Sequence, residues 1–422
     1  MDLSVKLLRT DPSYRAYWFG QSVSAFGSEV TTFALPLVAA LTLKATPGQV
    51  GVVAAAATAP YLLFSLLAGH WLEGRAHKRV MIPADLIQCL ALLLIPLAWL
   101  GGWLSVPLLV AIAFTSGCGA LAFGVSAFAY VPRLVSPSNL AAANRAAQGA
   151  RTVSEISGPG IAGALVGILG APLAITVDAF SYLASALGIA RSRPRSRPDR
   201  LEVDPGTDVR AGVFDGMRVL FTNPYLRALT VHAAIYNLAA EIYLINLVLW
   251  AVRAQDVSPA SYGLALSAGG VGGLIGTMVA LTLMDRLGLG RAFLASLALS
   301  CGAPLLTGLF DLQGMALGVV IAAVSLIAGI GLGNANIYSL TLRQSVIPEH
   351  VLTRSAGAYT QVMYGSIPLG ALLAGLAGTT VGPRLGVVLG AIGMAASVAP
   401  MTTRVVRTLS TPQDARPSDT RT

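Results

Sequence analysis

Asp11-Pro12-Ser13-Tyr14-Arg15 opens a long apolar run, and 212 residues later Asn223-Pro224-Tyr225-Leu226-Arg227 opens another. At the same offset Glu29 meets Glu241, Pro47 meets Pro259, Gly51 meets Gly263, Glu73 meets Asp285 and Arg79 meets Arg291. Further along, the register becomes 209, pairing Arg145 with Arg354 and Pro159 with Pro368. Chance does not place this many polar and turn residues in register, so the chain reads as a duplication.

What is duplicated follows from composition. Of 422 residues, 55% are hydrophobic and only 11% charged, and mean hydropathy is +0.71. Soluble domains carry roughly 25% charge, so a bilayer must cover this apolar surface. The 45 glycines fit, because small residues let membrane helices approach closely. A spanning helix needs about 20 apolar residues. Such runs occur near 16–42, 49–72, 80–101, 106–130, 139–168 and 171–190, and again near 226–252, 260–284, 291–309, 314–341, 355–379 and 384–402. The expected fold is therefore an all-α integral membrane protein of about twelve transmembrane helices. They form two parallel, pseudo-symmetric six-helix bundles, an architecture that recurs among membrane transporters. Residues 1–190 would be the first bundle and 224–404 the second. Residues 191–223, which open with alternating Arg, Ser and Pro and continue through Glu202, Asp204 and Asp208, read as a linker. Residues 405–422 read as a disordered tail.

The net charge of +9 has a topological explanation rather than nucleic acid as partner. Arg9, Arg15, Arg75, Lys78, Arg79, Arg133, the cluster from Arg191 to Arg200, Arg286, Arg291, Arg343, Arg354, Arg404 and Arg407 fall on one side, against Lys44, Arg253 and Arg384 on the other. The positive-inside rule puts the first side, with both termini, in the cytoplasm. Arginine-rich, alanine-rich composition suggests a high-GC bacterium, hence the bacterial cytoplasmic membrane. No cleavable signal peptide is expected, since the first apolar run is too long. Cys89, Cys118 and Cys301 are scattered within apolar runs and suggest neither a disulfide framework nor a metal site.

Charges within the membrane are costly, about 2.5–3.5 kcal/mol or more, and persist where they are paired or line a wet cavity. Glu29 lies about 13 residues into the first run, roughly 20 Å of helix rise, and Glu241 holds the matching place in the second half. A carboxyl in such surroundings can exchange a proton as access alternates, or attract a cationic substrate; the other reading is a structural acid that locks helix packing. Arg151 and Glu155, four apart on the fifth run, share a face and form either a structural ion pair or a coupling element. Asp178 reads as structural. On the seventh and tenth runs Tyr236, Asn237, Tyr243, Asn246, Asn334, Asn336 and Tyr338 suit a broad organic ligand, of which Tyr236, Asn237 and Asn336 are the chosen candidates, although packing explains each one singly. His232 reads as interfacial. Gly269, Gly270, Gly272, Gly273 and Gly276 read as a packing face, not a nucleotide loop, since no strand precedes them. With no phosphate-binding loop and no soluble domain, neither an ATP-driven pump nor an enzyme is expected, and no cofactor or metal is called for.

The loop Gly69-His70-Trp71-Leu72-Glu73-Gly74-Arg75-Ala76-His77-Lys78-Arg79 resembles the loop signature of the major facilitator superfamily, with Glu73 for the usual aspartate and Gly74 for the usual arginine. The second copy, Asp285-Arg286-Leu287-Gly288-Leu289-Gly290-Arg291, keeps the acid–arginine pair. The resemblance implies that Glu73, Arg79, Asp285, Arg286 and Arg291 form a conformational gate. Gly149 through Gly163, around Gly158-Pro159-Gly160, resembles the antiporter segment of that superfamily. Gly27-Ser28-Glu29, Asn144-Arg145, Val177-Asp178-Ala179-Phe180-Ser181-Tyr182 and Arg343-Gln344 are similar to the bacterial enterobactin-exporter and macrolide-efflux branch. Relatives of that branch often carry an acid in the fourth helix; here that place holds Gly124, so no role carries over to it. The resemblance implies that helices one, four, seven and ten line a central cavity. It also implies secondary active transport: proton-coupled efflux of a small organic molecule such as an antibiotic, drug or siderophore. A facilitator, importer or lipid transporter on the same fold is the alternative, and a non-transporting receptor the rival from another class.

Overall fold

The computed structural model describes residues 3–72, 77–194, 209–309, 312–347, 352–403, 407 and 409. They fall into two compact units, Met1–Pro205 and Gly206–Thr422. Among the described residues no strand is present, and twelve helices are long and apolar enough to cross a membrane.

In the first unit a short helix, α1 (Leu3–Thr10), precedes six spans: α2 (Pro12–Leu37), α3 (Pro47–Leu72), α4 (Lys78–Leu100), α5 (Val106–Leu134), α6 (Leu140–Leu169) and α7 (Ala171–Arg191). Asp11 shows why the opening motif starts a helix. Its carboxylate accepts the Tyr14 amide at 3.0 Å, and Pro12 occupies the first turn, where no amide is required. Tyr14 then donates to Ala143 O at 2.6 Å and Trp18 Nε1 to Ala146 O at 2.9 Å, tying α2 to α6. α2 also packs extensively on α7, and α4 on α7.

The second unit holds α8 (Val209–Thr222), α9 (Pro224–Val248), α10 (Pro259–Leu287), α11 (Leu289–Gly302), α12 (Gly314–Val346), α13 (Leu352–Thr380) and α14 (Pro383–Ala396). Asn223 repeats the cap, accepting the Tyr225 and Leu226 amides at 3.0 and 3.3 Å. Two boundaries differ from the sequence reading. The second part of the 191–223 linker is the helix α8, because Met217 and Leu220 lie on one helical face and pack into this unit's core. Leu409, placed in the tail, is buried, and its carbonyl accepts the Gly290 amide at 2.8 Å.

The duplication is written in the backbone. α2 and α9 each run into a π-helical turn, Val38–Thr42 and Leu249–Ala254. Beyond these turns Lys44 and Asp256, 212 apart, both adopt positive φ, at 50° and 54°. Gly170 and Gly382, again 212 apart, have φ of 81° and 87° and turn the chain sharply from α6 into α7 and from α13 into α14. One shared set of turn geometries thus governs both halves.

Burial is inverted relative to a soluble protein. Phe128 and Ile168 are 85% and 79% exposed, whereas Asp85, Asp178 and Asn246 are at most 1% exposed. Apolar side chains meet lipid, and polar groups pair inside. α10 and α12 meet along a glycine seam: a Cβ at Gly272, Gly276, Gly329 or Gly333 would collide with backbone of the facing helix. Gly329→Leu is therefore expected to lower the melting temperature and the folded yield in detergent. Gly149→Leu, at a position where a Cβ would meet nothing, should leave both near wild type.

Candidate functional site

Glu29 is half-buried on α2 and faces α6. A Cβ at Gly158 would lie 2.5 Å from Glu29 Cβ and 2.6 Å from Cγ, so the acid's stem occupies the space that a larger residue would take. Two turns and one turn earlier on α6, Arg151 Nε donates to Glu155 Oε1 at 2.8 Å, with the two side chains 64% and 49% exposed. Both lie within Coulombic range of Glu29. The first unit therefore gathers two carboxylates and one guanidinium around the Gly158-Pro159 step.

In the second unit Glu241, also half-buried, faces α13, where a Cβ at Gly370 would fall 2.9 Å from Glu241 Cβ and 2.5 Å from Leu238 O. Each half thus seats its acid on a glycine 129 residues later. These contacts keep the register of 212, so Pro368 lies about one turn earlier in its helix than Pro159, and the pairing at 209 is not the spatial one. In the contact register Met363 and Ile367 stand where Arg151 and Glu155 do. The two acids, alike in sequence position, have different surroundings.

Most other polar candidates hold helices together. Tyr243 shares a hydrogen bond with Thr307 Oγ1 at 2.8 Å, Asn246 Nδ2 donates to Ala374 O at 3.0 Å, and Tyr338 donates to Ala280 O at 2.6 Å. Asn237 Nδ2 donates to Ala233 O of its own helix at 2.8 Å. Tyr236 is half-buried with its ring 5.9 Å from that of His232, whose Nδ1 lies 2.9 Å from Ser397 O. Asn336 is exposed on α12.

Of the expected gate, Glu73 lies outside the described residues. Arg79, Asp285, Arg286 and Arg291 are exposed and, among the described residues, form no ion pair with one another. Arg79 lines a cavity of about 530 Å³ between α4 and α5, together with Pro83, Ile87, Phe114 and Cys118. Sequence reasoning passed over Asp85, which is buried on α4 and accepts from Ser185 Oγ at 2.6 Å. An acid inside the third apolar run was signal enough to find it.

Residues 17–371 match the Major Facilitator Superfamily. The chain belongs to this superfamily. Among its superfamily relatives, the multidrug efflux pump Tap of Mycolicibacterium fortuitum is 26% identical over 367 residues, covering 85% of this chain and 87% of that one. The MFS-type transporter y4rN of Sinorhizobium fredii is 28% identical over 401 residues, covering 91% and 92%. In fold, a bacterial homologue of the iron transporter ferroportin in its inward-facing state superposes with a TM-score of 0.73 at 17% identity, covering 94% of this chain and 98% of that one. A D-xylose–proton symporter gives a TM-score of 0.67 at 12% identity, with coverage of 92% and 96%. The protein is thus a multi-pass membrane transporter of the superfamily.

Because Gly158 leaves room only for the Glu29 stem, Gly158→Ala is expected to displace the acid. It should reduce transport as deeply as Glu29→Ala, while Gly149→Ala stays silent. Transport in cells at matched membrane expression checks this.

Proposed function

We propose that this transporter exports a small organic molecule, with amphiphilic cations such as antibiotics as the leading class, in exchange for protons. The observation that carries this reading is the Glu29–Arg151–Glu155 cluster on the Gly158-Pro159 step. A half-buried carboxyl packed against the Gly158-Pro159 step of α6 can take up a proton or a cationic substrate but not both favourably, which is the requirement for exchange. Arg151, four residues from Glu155, offsets one carboxylate and leaves the other for cargo. Export is supported by the relationship to the multidrug efflux pump Tap.

In this reading Glu29 is the principal coupling group, Glu241 the secondary one in an apolar setting, and Tyr236, Asn237 and Asn336 contribute contacts to cargo. Glu73, Arg79, Asp285, Arg286 and Arg291 bias the alternation of access that repeated six-helix transporters use. Both termini lie in the cytoplasm, in keeping with the arginine-rich loops on that side, and the membrane is the bacterial cytoplasmic membrane.

Inside-out vesicles offered a panel of dyes, macrolides and siderophores in the medium test the proposal. Uptake is expected to collapse with an uncoupler and in Glu29→Gln at normal insertion, and to fall less in Glu241→Gln. Uptake that survives both treatments identifies a facilitator or a different coupling ion.

A further inference from the structure

α7 carries two buried acid–hydroxyl clusters that the exchange reading leaves unused. Asp178 is fully buried; Ser181 Oγ donates to its Oδ1 at 2.9 Å, while its Oδ2 has no hydrogen-bond partner. Thr31 of α2 lies against this carboxyl with its hydroxyl buried. Two turns further along α7, Ser185 Oγ donates to Asp85 Oδ2 at 2.6 Å and accepts from Gln21 Nε2 at 2.7 Å. Tyr182 lies within Coulombic range of both acids, and its hydroxyl is 3.4 Å from Ser28 Oγ, the residue before Glu29.

The titratable groups that face this pair are Tyr17 of α2, Cys89 of α4 and Tyr182 of α7, with Tyr61 of α3 beyond Tyr182. Among the described residues no Lys, Arg or His pairs with either acid. Two carboxylates cannot both stay ionised in a low-dielectric interior without a compensating cation. A coordinated metal ion needs several oxygens and room around it. Here a Cβ at Gly27 would already fall 2.6 Å from Asp178 Oδ1, so α2 and α7 meet too closely to admit one. A proton needs no such room and neutralises the carboxyl where it stands.

We propose that Asp178 and Asp85 form a second proton-binding site of the first unit, distinct from Glu29. Tyr182 ties the pair to α2 through the 3.4 Å contact between its hydroxyl and Ser28 Oγ, and the occupancy of the pair does not depend on the proton-exchange reading.

Infrared spectroscopy of the full chain in phospholipid vesicles at neutral pH tests the occupancy. The C=O stretching band of protonated carboxyl groups is expected, with one component lost in Asp178→Asn and another in Asp85→Asn, both surviving Glu29→Gln and exchange of potassium for sodium. Ser181→Ala, which keeps the acid, should shift the Asp178 component without removing it, and answers for Asp178→Asn should that variant misfold. Spectra in which the aspartate substitutions remove nothing, or a band that sodium abolishes, overturn the pair as a proton site. Export measured on the same vesicles separates the two claims. Uncoupler-sensitive export without the band removes the pair alone, and uncoupler-insensitive export with the band removes the exchange reading and leaves the pair.

Discussion

A bilayer offers no hydrogen bonds, and that constraint orders everything else in this protein. Backbone groups must be satisfied within their own helices, so the chain resolves into spans, and every polar side chain must find a partner inside the bundle or an aqueous opening. Tyr14, Tyr243, Asn246 and Tyr338 meet the demand by reaching a neighbouring helix. The caps at Asp11 and Asn223 meet it at the entries to α2 and α9.

Against that background the acids seated on glycines acquire meaning. Close approach of α2 to α6, and of α9 to α13, is possible only because Gly158 and Gly370 lack side chains where Glu29 and Glu241 stand. The same device recurs in both halves. What diverged is the surroundings: a charged pair near Glu29, and Met363 and Ile367 at the corresponding places near Glu241. A duplicated transporter can in this way keep one architecture while giving its two acids unequal chemistry.

Much of this was legible beforehand. Apolar run length revealed the twelve spans because hydrophobic thickness translates directly into residue count. Register matching revealed the repeat because turn and cap residues are constrained locally. α8 escaped notice since the Arg- and Pro-rich segment before it dominates the composition of 191–223, while its apolar face becomes evident only against a core to pack on. Asp85 lacks the signal of a repeated acid, since position 297, its counterpart, is a leucine.

The sequence by itself determined the membrane class, the number of spans, the duplication and the identity of the intramembrane charges, all of which depend on composition and spacing along the chain. Only the tertiary structure decided which glycine each acid rests on, that the spatial register stays at 212 where sequence matching drifts to 209, and that Asp178 and Asp85 are both buried against serines of α7. Those outcomes depend on how helices distant in sequence rotate and press together, and a linear pattern of residues does not encode that rotation locally.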